Sequence, residues 1–254
     1  MNLLGWTMAF HKRSTFVITT TSFGPMLVNR FDYYCGKDGS GFRGIGLDLM
    51  EEGDYRQDEV AACLAIIRER RERFGDGVVV VDAGANIGTH TIPWAYAMRG
   101  WGTVIAIEAQ ERIFYALAGN ITLNNCFNAR AIWAAAAKET GSMIVPELDH
   151  QQPANFGGLS LIEWSRYDQP TSIGKVKIPA ISVDSLDLPR LDFIKIDVQG
   201  MEVDVLKGAK ETISKYRPII VVEDSLSTHA YTSIVGSDYK CRKFDDMNVV
   251  LEPA

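Results

Sequence analysis

Short apolar runs alternate with amphipathic segments through the centre of the chain, and this alternation predicts its secondary structure. Four consecutive valines lead into an acid and a glycine-rich turn, which is typical of a strand buried on both faces. The same pattern predicts strands at 78–83, 103–108, 131–136, 191–198 and 218–223. It predicts helices at 58–74, 89–98, 111–124 and 202–216, and two short strands within 239–251.

Strands that alternate with helices predict a parallel sheet covered by helices on both faces, which is a doubly wound α/β fold. Ahead of it, apolar stretches on either side of Ser22-Phe23-Gly24-Pro25 predict a β-hairpin. We expect 1–57 to form this N-terminal extension of the same domain, whose main part is 58–254. Residues 138–180 interrupt the alternation, and a hairpin is expected within them near 142–146.

Charge and composition narrow the classes of partner. The net charge of −6 disfavours a nucleic-acid-binding protein, because such proteins usually carry a basic face. The densest basic run, 68–73, is interleaved with glutamates and predicts a solvated helix face. The four cysteines form no C-x-x-C pair, so we expect a reducing compartment and no zinc site. Without a secretory signal pattern or a long apolar run, we expect a cytoplasmic protein with no membrane partner.

The turn after the first predicted strand, Gly84-Ala85-Asn86-Ile87-Gly88, indicates a nucleotide-type cofactor. A dinucleotide fingerprint has glycine where this chain has Asn86, and its last glycine falls one residue later. Asp82 would repel a pyrophosphate but can meet the ammonium of S-adenosylmethionine. Glu108 ends the next strand, where a carboxylate can accept the ribose hydroxyls of either cofactor. The turn therefore favours S-adenosylmethionine over NAD.

Five blocks of the chain resemble the FkbM-type S-adenosylmethionine-dependent methyltransferases in order and spacing. They read VVDAGANIGTH, VIAIEA, NITLNN, DFIKIDVQGMEVDVLKGA and RPIIVVE. The resemblance runs from about Tyr55 to Glu223, and KIDVQGME is its most specific part. Two positions depart from the usual family pattern, since Gln199 stands where glutamate is usual and no proline follows Glu108.

The resemblance implies a class I methyltransferase (Rossmann-like) sheet of seven strands with the last strand antiparallel, and a methyltransferase domain at 58–254. It also implies O-methylation of a hydroxyl, often on a sugar or a polyketide-type product. S-adenosyl-L-methionine is then the cofactor, with its methionine end at the first turn, its ribose at Glu108 and its adenine near the end of the third strand. The predicted cofactor-binding residues are Asp82, Gly84, Ala85, Asn86, Gly88, Glu108, Ala109, Ala134, Ala135 and Asp197.

A neutral sugar hydroxyl is a weak nucleophile, so a general base is expected beside the transferred methyl group. Asp197 ends the fourth predicted strand and is the first candidate, although it could instead cap the next turn or hold the amine of the cofactor. Glu223, which ends the fifth strand, and His229, six residues further on, are the other predicted catalytic residues. Asp197, Glu223 and Asp224 could also suit Mg²⁺, but carboxylates collect at this edge in any case, and no metal ligand is predicted.

The irregular insert at 147–170 is expected to recognise the substrate, because long loops above such sheets often cover ligands. Asn155, Phe156 and Tyr167 combine amide and aromatic groups and are the predicted substrate-binding residues. Phe156 could instead anchor the loop in the core.

The leading hypothesis is an S-adenosylmethionine-dependent O-methyltransferase that acts on a hydroxyl of a sugar or sugar-containing small molecule. Two alternatives stay open, an NAD-dependent oxidoreductase that uses Glu108 for the ribose, and a catalytically inactive binding module of the same fold. The sequence makes no prediction about oligomeric state.

Overall fold

The computed structural model describes residues 14–35, 41–162, 172–223 and 228–254, with the backbone alone for 228–230. The strands of its first half are β1 (Phe16–Thr21), β2 (Gly24–Asn29), β3 (Tyr34–Cys35), β4 (Phe42–Arg43), β5 (Val78–Ala83), β6 (Gly102–Glu108) and β7 (Ala129–Trp133). The strands that follow are β8 (Ala135–Ala136), β9 (Gly141–Leu148), β10 (Ser172–Ile181), β11 (Phe193–Ile196), β12 (Ile219–Glu223), β13 (Tyr239–Lys243) and β14 (Asn248–Pro253). The α-helices are α1 (Ile45–Glu51), α2 (Gln57–Phe74), α3 (Thr91–Ala97), α4 (Glu111–Leu123), α5 (Glu202–Lys207), α6 (Lys210–Tyr216) and α7 (Thr228–Val235).

The central sheet has seven strands in the order β13-β14-β12-β11-β5-β6-β7. Strand β14 is antiparallel to both of its neighbours, and the pairs formed by β12, β11, β5, β6 and β7 are parallel. This is the strand order and orientation of a class I methyltransferase sheet, so the predicted fold class is confirmed. The chain leaves β5 towards β6 on one side and returns at β11 on the other. Ligands bind at such a reversal, beyond the carboxyl ends of the strands.

The sheet is covered on both faces, as its apolar strands require. All six residues of β5 and all four of β11 are buried. One apolar cluster joins the sheet to α2, α3, α4 and the N-terminal hairpin, and a second joins it to α5, α6 and α7. Burying one valine or isoleucine side chain contributes about 1.5–3 kcal/mol. The sheet therefore holds the strand ends rigidly in place for a site above them.

Two predicted elements are each divided in the structure. The third strand, predicted at 131–136, is divided, because the chain leaves the central sheet after β7 and β8 pairs with β10. The helix predicted at 202–216 is divided between Lys207 and Lys210, at Gly208. A Cβ on Gly208 would lie 2.2 Å from the carbonyl oxygen of Ala137, so this close approach of two backbones interrupts the helix.

The predicted N-terminal hairpin is present, with Thr21 paired to Gly24 across its turn. The backbone N–H of Leu27 donates to Oδ1 of Asn120 at 2.6 Å, and Nδ2 of Asn120 donates back to the Leu27 carbonyl at 3.2 Å. Asn120 lies on α4 and is fully buried. The hairpin is thus held against the helix layer of the sheet.

The hairpin predicted near 142–146 is wrong, since these residues lie inside the single strand β9. Strand β9 pairs antiparallel with β10, for example through Val145 and Val176, and β10 also pairs with β8. The pairing is long-range, which a local turn pattern cannot reveal. In the four described stretches of chain, no helix combines the length and the apolar character needed to cross a membrane.

Candidate active site

A cavity of about 1260 Å³ opens above the carboxyl ends of β5, β6, β11 and β12. The cavity is also lined by β3, by residues between 42 and 58, and by residues around 155–161. Most of the predicted site residues line it, namely Gly84, Ala85, Asn86, Glu108, Ala109, Ala134, Ala135, Asn155, Asp197 and Glu223. The structure therefore brings these residues together around one cavity at one edge of the sheet.

The first turn requires residues that tolerate positive φ. Gly84 has φ +85°, and a Cβ there would lie 1.8 Å from the carbonyl oxygen of Asp197. Asn86 has φ +50°, a left-handed conformation that asparagine tolerates better than most residues. The turn can therefore keep its backbone conformation although asparagine replaces the glycine of the dinucleotide pattern.

Two predicted cofactor ligands lie beneath this turn and do not line the cavity. Asp82 is 1% exposed and accepts a 2.6 Å hydrogen bond from Oγ1 of Thr91, at the start of α3. A Cβ on Gly88 would meet the side chains of Leu117 and Ile92. These positions give Asp82 and Gly88 structural roles under the turn, and neither offers a direct contact to a molecule in the cavity.

Glu108 is a buried carboxyl group whose oxygens face the turn. Its Oε2 accepts from the backbone N–H of Asn86 at 3.0 Å, and its Oε1 accepts from Gln110 N–H at 2.7 Å. Burial raises the pKa of Glu108 to about 7, against the lowering effect of these hydrogen bonds. The free lone pairs of this carboxylate suit the hydroxyl groups of a ribose.

Beyond Glu108, the chain leaves the end of β7 through two small residues. The N–H of Ala134 donates to the carbonyl of Glu108 at 3.1 Å, which keeps this segment beside the end of β6. Ala134 and Ala135 line the cavity with methyl groups alone. Small apolar side chains at this edge leave room for a flat ring, as the predicted adenine contact requires.

A carboxyl pair, defined here as Asp197 and Glu223, lies where β11 and β12 end. Gln199 bridges it, because its Nε2 donates to Oδ1 of Asp197 at 2.9 Å and to Oε2 of Glu223 at 2.5 Å. Lys195 Nζ donates to the other Asp197 oxygen, Oδ2, at 2.9 Å. Glutamine in place of the usual glutamate therefore supplies a donor between two acids, where a third carboxylate would repel both.

The two members of the pair hold protons differently. Burial and then the negative charge of Asp197 raise the pKa of Glu223 to about 8. Burial alone would raise the pKa of Asp197, but Lys195 and the hydrogen bond from Gln199 hold it below its usual range. Lys195 and Gln199 therefore favour the charged form of Asp197, and burial beside that charge favours the protonated form of Glu223.

Sequence reasoning missed the buried charges beneath this pair. Lys195 Nζ lies 3.5 Å from Oε1 of Glu59 on α2. The same Oε1 lies 3.2 Å from Nε2 of His90, and Oε2 of Glu59 accepts from Arg56 at 2.9 Å. The available signal was a lone lysine inside the apolar run FIKI, since buried lysines are rare unless they are paired.

The predicted substrate contacts have mixed outcomes. Asn155 lines the cavity, and its Oδ1 accepts the N–H of Gly158 at 2.9 Å. Phe156 is fully buried and stacks on His150 with ring centroids 4.5 Å apart, so it anchors the loop in the core and is not a substrate contact. Tyr167 lies outside the described residues. His229 lies in α7, and only the backbone of this residue is described.

Metal ligands were not predicted at this edge. In the described parts of the chain, no group of three or more His, Cys, Asp or Glu residues could hold a metal ion. Asp224, the third member of the alternative Mg²⁺ set, is outside those parts.

This sheet order, with a glycine turn after β5 and a buried acid at the end of β6, defines the chain as a class I methyltransferase. The family model of the Methyltransferase FkbM domain matches residues 82–251, about two thirds of the chain. The protein therefore belongs to the FkbM methyltransferase family, whose cofactor is S-adenosylmethionine, and the predicted resemblance is confirmed. This membership removes the support for an NAD-dependent oxidoreductase.

Two curated proteins are similar to parts of the chain. "Methyltransferase 1" of Beauveria bassiana (strain ARSEF 2860) is 28% identical over 152 residues, which cover 53% of this chain and 59% of that protein. "2-O-methyltransferase NoeI" of Sinorhizobium fredii (strain NBRC 101917 / NGR234) is 39% identical over 67 residues, which cover 26% of each. A solved structure, Methyltransferase FkbM from Methylobacillus flagellatus KT, has a TM-score of 0.49 and 20% identity, covering 69% of this chain and 44% of that one.

The residues present fit S-adenosylmethionine. Gly84 leaves no room for a Cβ where the turn meets the carbonyl oxygen of Asp197, just after β11. The carboxylate of Glu108 is buried at the end of β6. Gly84, Ala85 and Asn86 would hold the methionine end, Glu108 the ribose, and Ala134 with Ala135 the adenine. When bound, this cofactor supplies a methyl group on a positively charged sulfur, which a nucleophile can take directly.

Proposed function

We propose that this protein is an O-methyltransferase that acts on a hydroxyl group of a sugar or sugar-containing small molecule. The carboxyl pair carries the proposal. Glu223 and Asp197 lie on the wall of the cofactor cavity, joined by Gln199, and one of them has a pKa close to the working pH. A general base with such a pKa is efficient in taking a proton from a hydroxyl.

Glu223 is the better proton acceptor of the pair. Asp197 already accepts from Lys195 and Gln199, and these donors weaken it as a base. In its ionised form, Glu223 takes the proton of the acceptor hydroxyl as the hydroxyl oxygen gains the methyl group. Asp197 then orients Gln199 and keeps a negative charge beside the reacting centre. This reverses the order of preference that the sequence predicts.

A surface that we name the acceptor wall, consisting of Tyr34, Phe42 and Tyr55, supports a sugar as the acceptor. These aromatic side chains line the cavity, and Phe42 is 64% exposed. Sugar rings combine apolar C–H faces with hydroxyl groups, and sites for such ligands combine aromatic surface with a few polar groups. Asn155 supplies an amide to the same cavity. Through this wall, the 1–57 extension would belong to the functional unit.

The name of one relative adds a second line of support. NoeI is called a 2-O-methyltransferase, and its matched segment is 39% identical to this chain. The match spans only a quarter of that protein, so the acceptor class is carried mainly by the chemistry of the cavity. A cytoplasmic location, which would supply S-adenosylmethionine, also remains part of this proposal.

The test is a transfer assay with the full chain, donor labelled in its methyl group, and a panel of mono- and oligosaccharides and polyols. Mass spectrometry should detect a labelled product heavier by one methylene group, with the label on oxygen. Label found only on nitrogen would contradict the proposal. Binding of S-adenosylhomocysteine without turnover of any acceptor would favour the inactive binding module. A parallel assay in EDTA separates a metal-assisted reaction from one that needs the carboxyl pair alone.

A further inference from the structure

Lys195 is a buried ammonium group directly beside the carboxyl pair. It lies in β11, between the fully buried Phe193 and Ile196, and is 2% exposed. Its Nζ lies 2.9 Å from Oδ2 of Asp197 and 3.5 Å from Oε1 of Glu59. An unpaired ammonium in such a place would be strongly destabilising, so both carboxylates are needed to hold it there.

The surroundings of Nζ are unusually rich in titratable groups. Those that act on it directly are Asp197 at the end of its strand, Glu59 and Cys63 from α2, Asp82 from β5, Tyr55 before α2, and Glu223 from β12. His90 and Arg56 approach Glu59 from its other sides, and Glu202 of α5 acts on Glu223. Asp197 is the closest of the carboxylates, so the field of the ammonium is greatest on that member of the pair.

The side-chain hydrogen bonds that the two carboxyl groups accept differ at Lys195. Gln199 donates to both acids, and it is the hydrogen-bond donor that the two side chains have in common. Nothing in that arrangement decides which acid keeps the proton. Lys195 touches Asp197 alone, on the oxygen that Gln199 does not use. The ammonium therefore distinguishes two otherwise similar carboxyl groups.

We propose that Lys195 is a positioning residue that fixes the negative charge on Asp197 and so makes Glu223 the group that exchanges a proton with the acceptor. This inference rests on the proposed function for its kinetic consequence, but the charge assignment itself does not require turnover. Glu59, 3.5 Å from Nζ, acts as the second anchor of the ammonium.

Removing the ammonium should change how the pair titrates. Without it, full ionisation places two adjacent negative charges with no cation beside them, and the last proton leaves at higher pH. In Lys195→Met, the pH at which kcat/KM rises should therefore move upward by about one unit or more, because a cation within contact distance has an effect of this size. Activity at pH 7 should fall about tenfold or more, and most of it should return at high pH.

Matched variants separate this effect from a structural one. Lys195→Arg keeps a cation and should retain a pH profile close to that of the native protein. Lys207→Met removes an exposed lysine at the end of α5 and should change nothing. If Lys195→Met folds poorly, the double variant Lys195→Met/Glu59→Gln removes one positive and one negative charge together and should show the same upward movement. A uniform loss at every pH in either variant, with an unchanged profile, would overturn the proposal.

A second readout is independent of any acceptor. Carboxyl carbon NMR of the full chain, with and without S-adenosylhomocysteine, follows the two acids directly, and Asp197→Asn and Glu223→Gln assign their signals. In the native protein, only the Glu223 signal should move near neutral pH. In Lys195→Met both signals should move together. Two signals that already move together in the native protein would overturn the charge assignment, whereas absence of methyl transfer with the expected NMR result would remove the proposed function alone.

Discussion

Gly84 and the carbonyl oxygen of Asp197 approach so closely that a Cβ on Gly84 would lie 1.8 Å from that oxygen. The turn after β5 and the end of β11 are therefore one packed unit. The backbone N–H of Asp197 also donates to the carbonyl of Ala83, which completes this junction. A change at the cofactor turn is thus transmitted directly to the residue that carries the charge of the carboxyl pair.

The Gly84→Ala variant should lose stability, because φ at this position is +85° and the added methyl overlaps a backbone carbonyl. We expect the free energy of unfolding to fall by about 2–5 kcal/mol. Urea denaturation measures this. Gly141→Ala is the matched control, since Gly141 has open space around it, and its effect should stay within about 0.5 kcal/mol. Equal stability of the two variants would contradict the junction described above.

The central sheet could be predicted because its strands carry their signal locally. Val78–Ala83 and Phe193–Ile196 are apolar runs that end in acids, and parallel strands buried on both faces have this pattern. Because β6, β11 and β12 are parallel, Glu108, Asp197 and Glu223 at their carboxyl ends are predicted to share one edge of the sheet. Cofactor contacts follow from this edge, since they depend on strand ends and on one turn.

Other features depend on contacts between distant segments, which no local pattern contains. The partner of Lys195 is Glu59, which lies on a helix that precedes the sheet. Strand β9 finds its partner beyond the irregular insert. Phe156 has the composition of a sugar contact, yet the direction of its side chain is set by packing on His150. Asp82 likewise has the composition of a ligand, but it points under the turn to Thr91.

Cofactor affinity should depend on the ionisation of Glu108. Ribose hydroxyls donate hydrogen bonds to the carboxylate, so binding favours the ionised form, while burial holds the pKa of the free protein at about 7. The affinity for S-adenosylhomocysteine should therefore rise as pH increases through 7 and level off above it. Below that value it should fall by about tenfold for each pH unit.

The Glu108→Gln variant tests whether ionisation of Glu108 causes the pH dependence of cofactor affinity. Its affinity should be about tenfold or more below that of the native protein at pH 8, and its pH dependence around neutrality should be lost. Isothermal titration calorimetry between pH 6 and 8.5 measures both, with the exposed Glu139→Gln as a control that keeps the native behaviour. A native affinity that stays flat across pH 7 would show that Glu108 does not accept the ribose.

Catalysis should depend on the ionised form of Glu223. Its pKa is raised to about 8, so kcat/KM should increase with pH through that value and then reach a plateau. Glu223→Gln should reduce kcat by about 10²–10⁴-fold, the usual contribution of a general base, with little change in cofactor affinity. Single-turnover assays with labelled donor measure the chemical step separately from product release.

Two control substitutions make this outcome specific. Glu211→Gln changes an exposed glutamate on α6 and should leave kcat and its pH profile unaltered. Asp197→Asn tests the other member of the carboxyl pair. If Asp197→Asn removed the pH dependence while Glu223→Gln kept it, Asp197 would be the base and the order argued from Lys195 and Gln199 would be wrong.

Two phenylalanines should have different roles: Phe156 should contribute to stability and Phe42 to recognition of the acceptor. Phe156→Ala empties a fully buried position and should lower the free energy of unfolding by about 3–5 kcal/mol. Phe42→Ala removes a side chain that is 64% exposed on the acceptor wall, and its effect on stability should stay within about 0.5 kcal/mol. Its effect should instead be a several-fold increase in KM for the acceptor, with the affinity for S-adenosylhomocysteine unchanged.

Phe127→Ala is the matched control for Phe42→Ala, because Phe127 is 86% exposed and does not line the cavity. It should leave KM, kcat and stability at native values, since an exposed aromatic ring outside a site contributes little. Chemical denaturation and acceptor titrations on the three variants provide the comparison. An unchanged acceptor KM in Phe42→Ala would place sugar recognition on another part of the cavity, and the polar groups around Asn155 would then carry it.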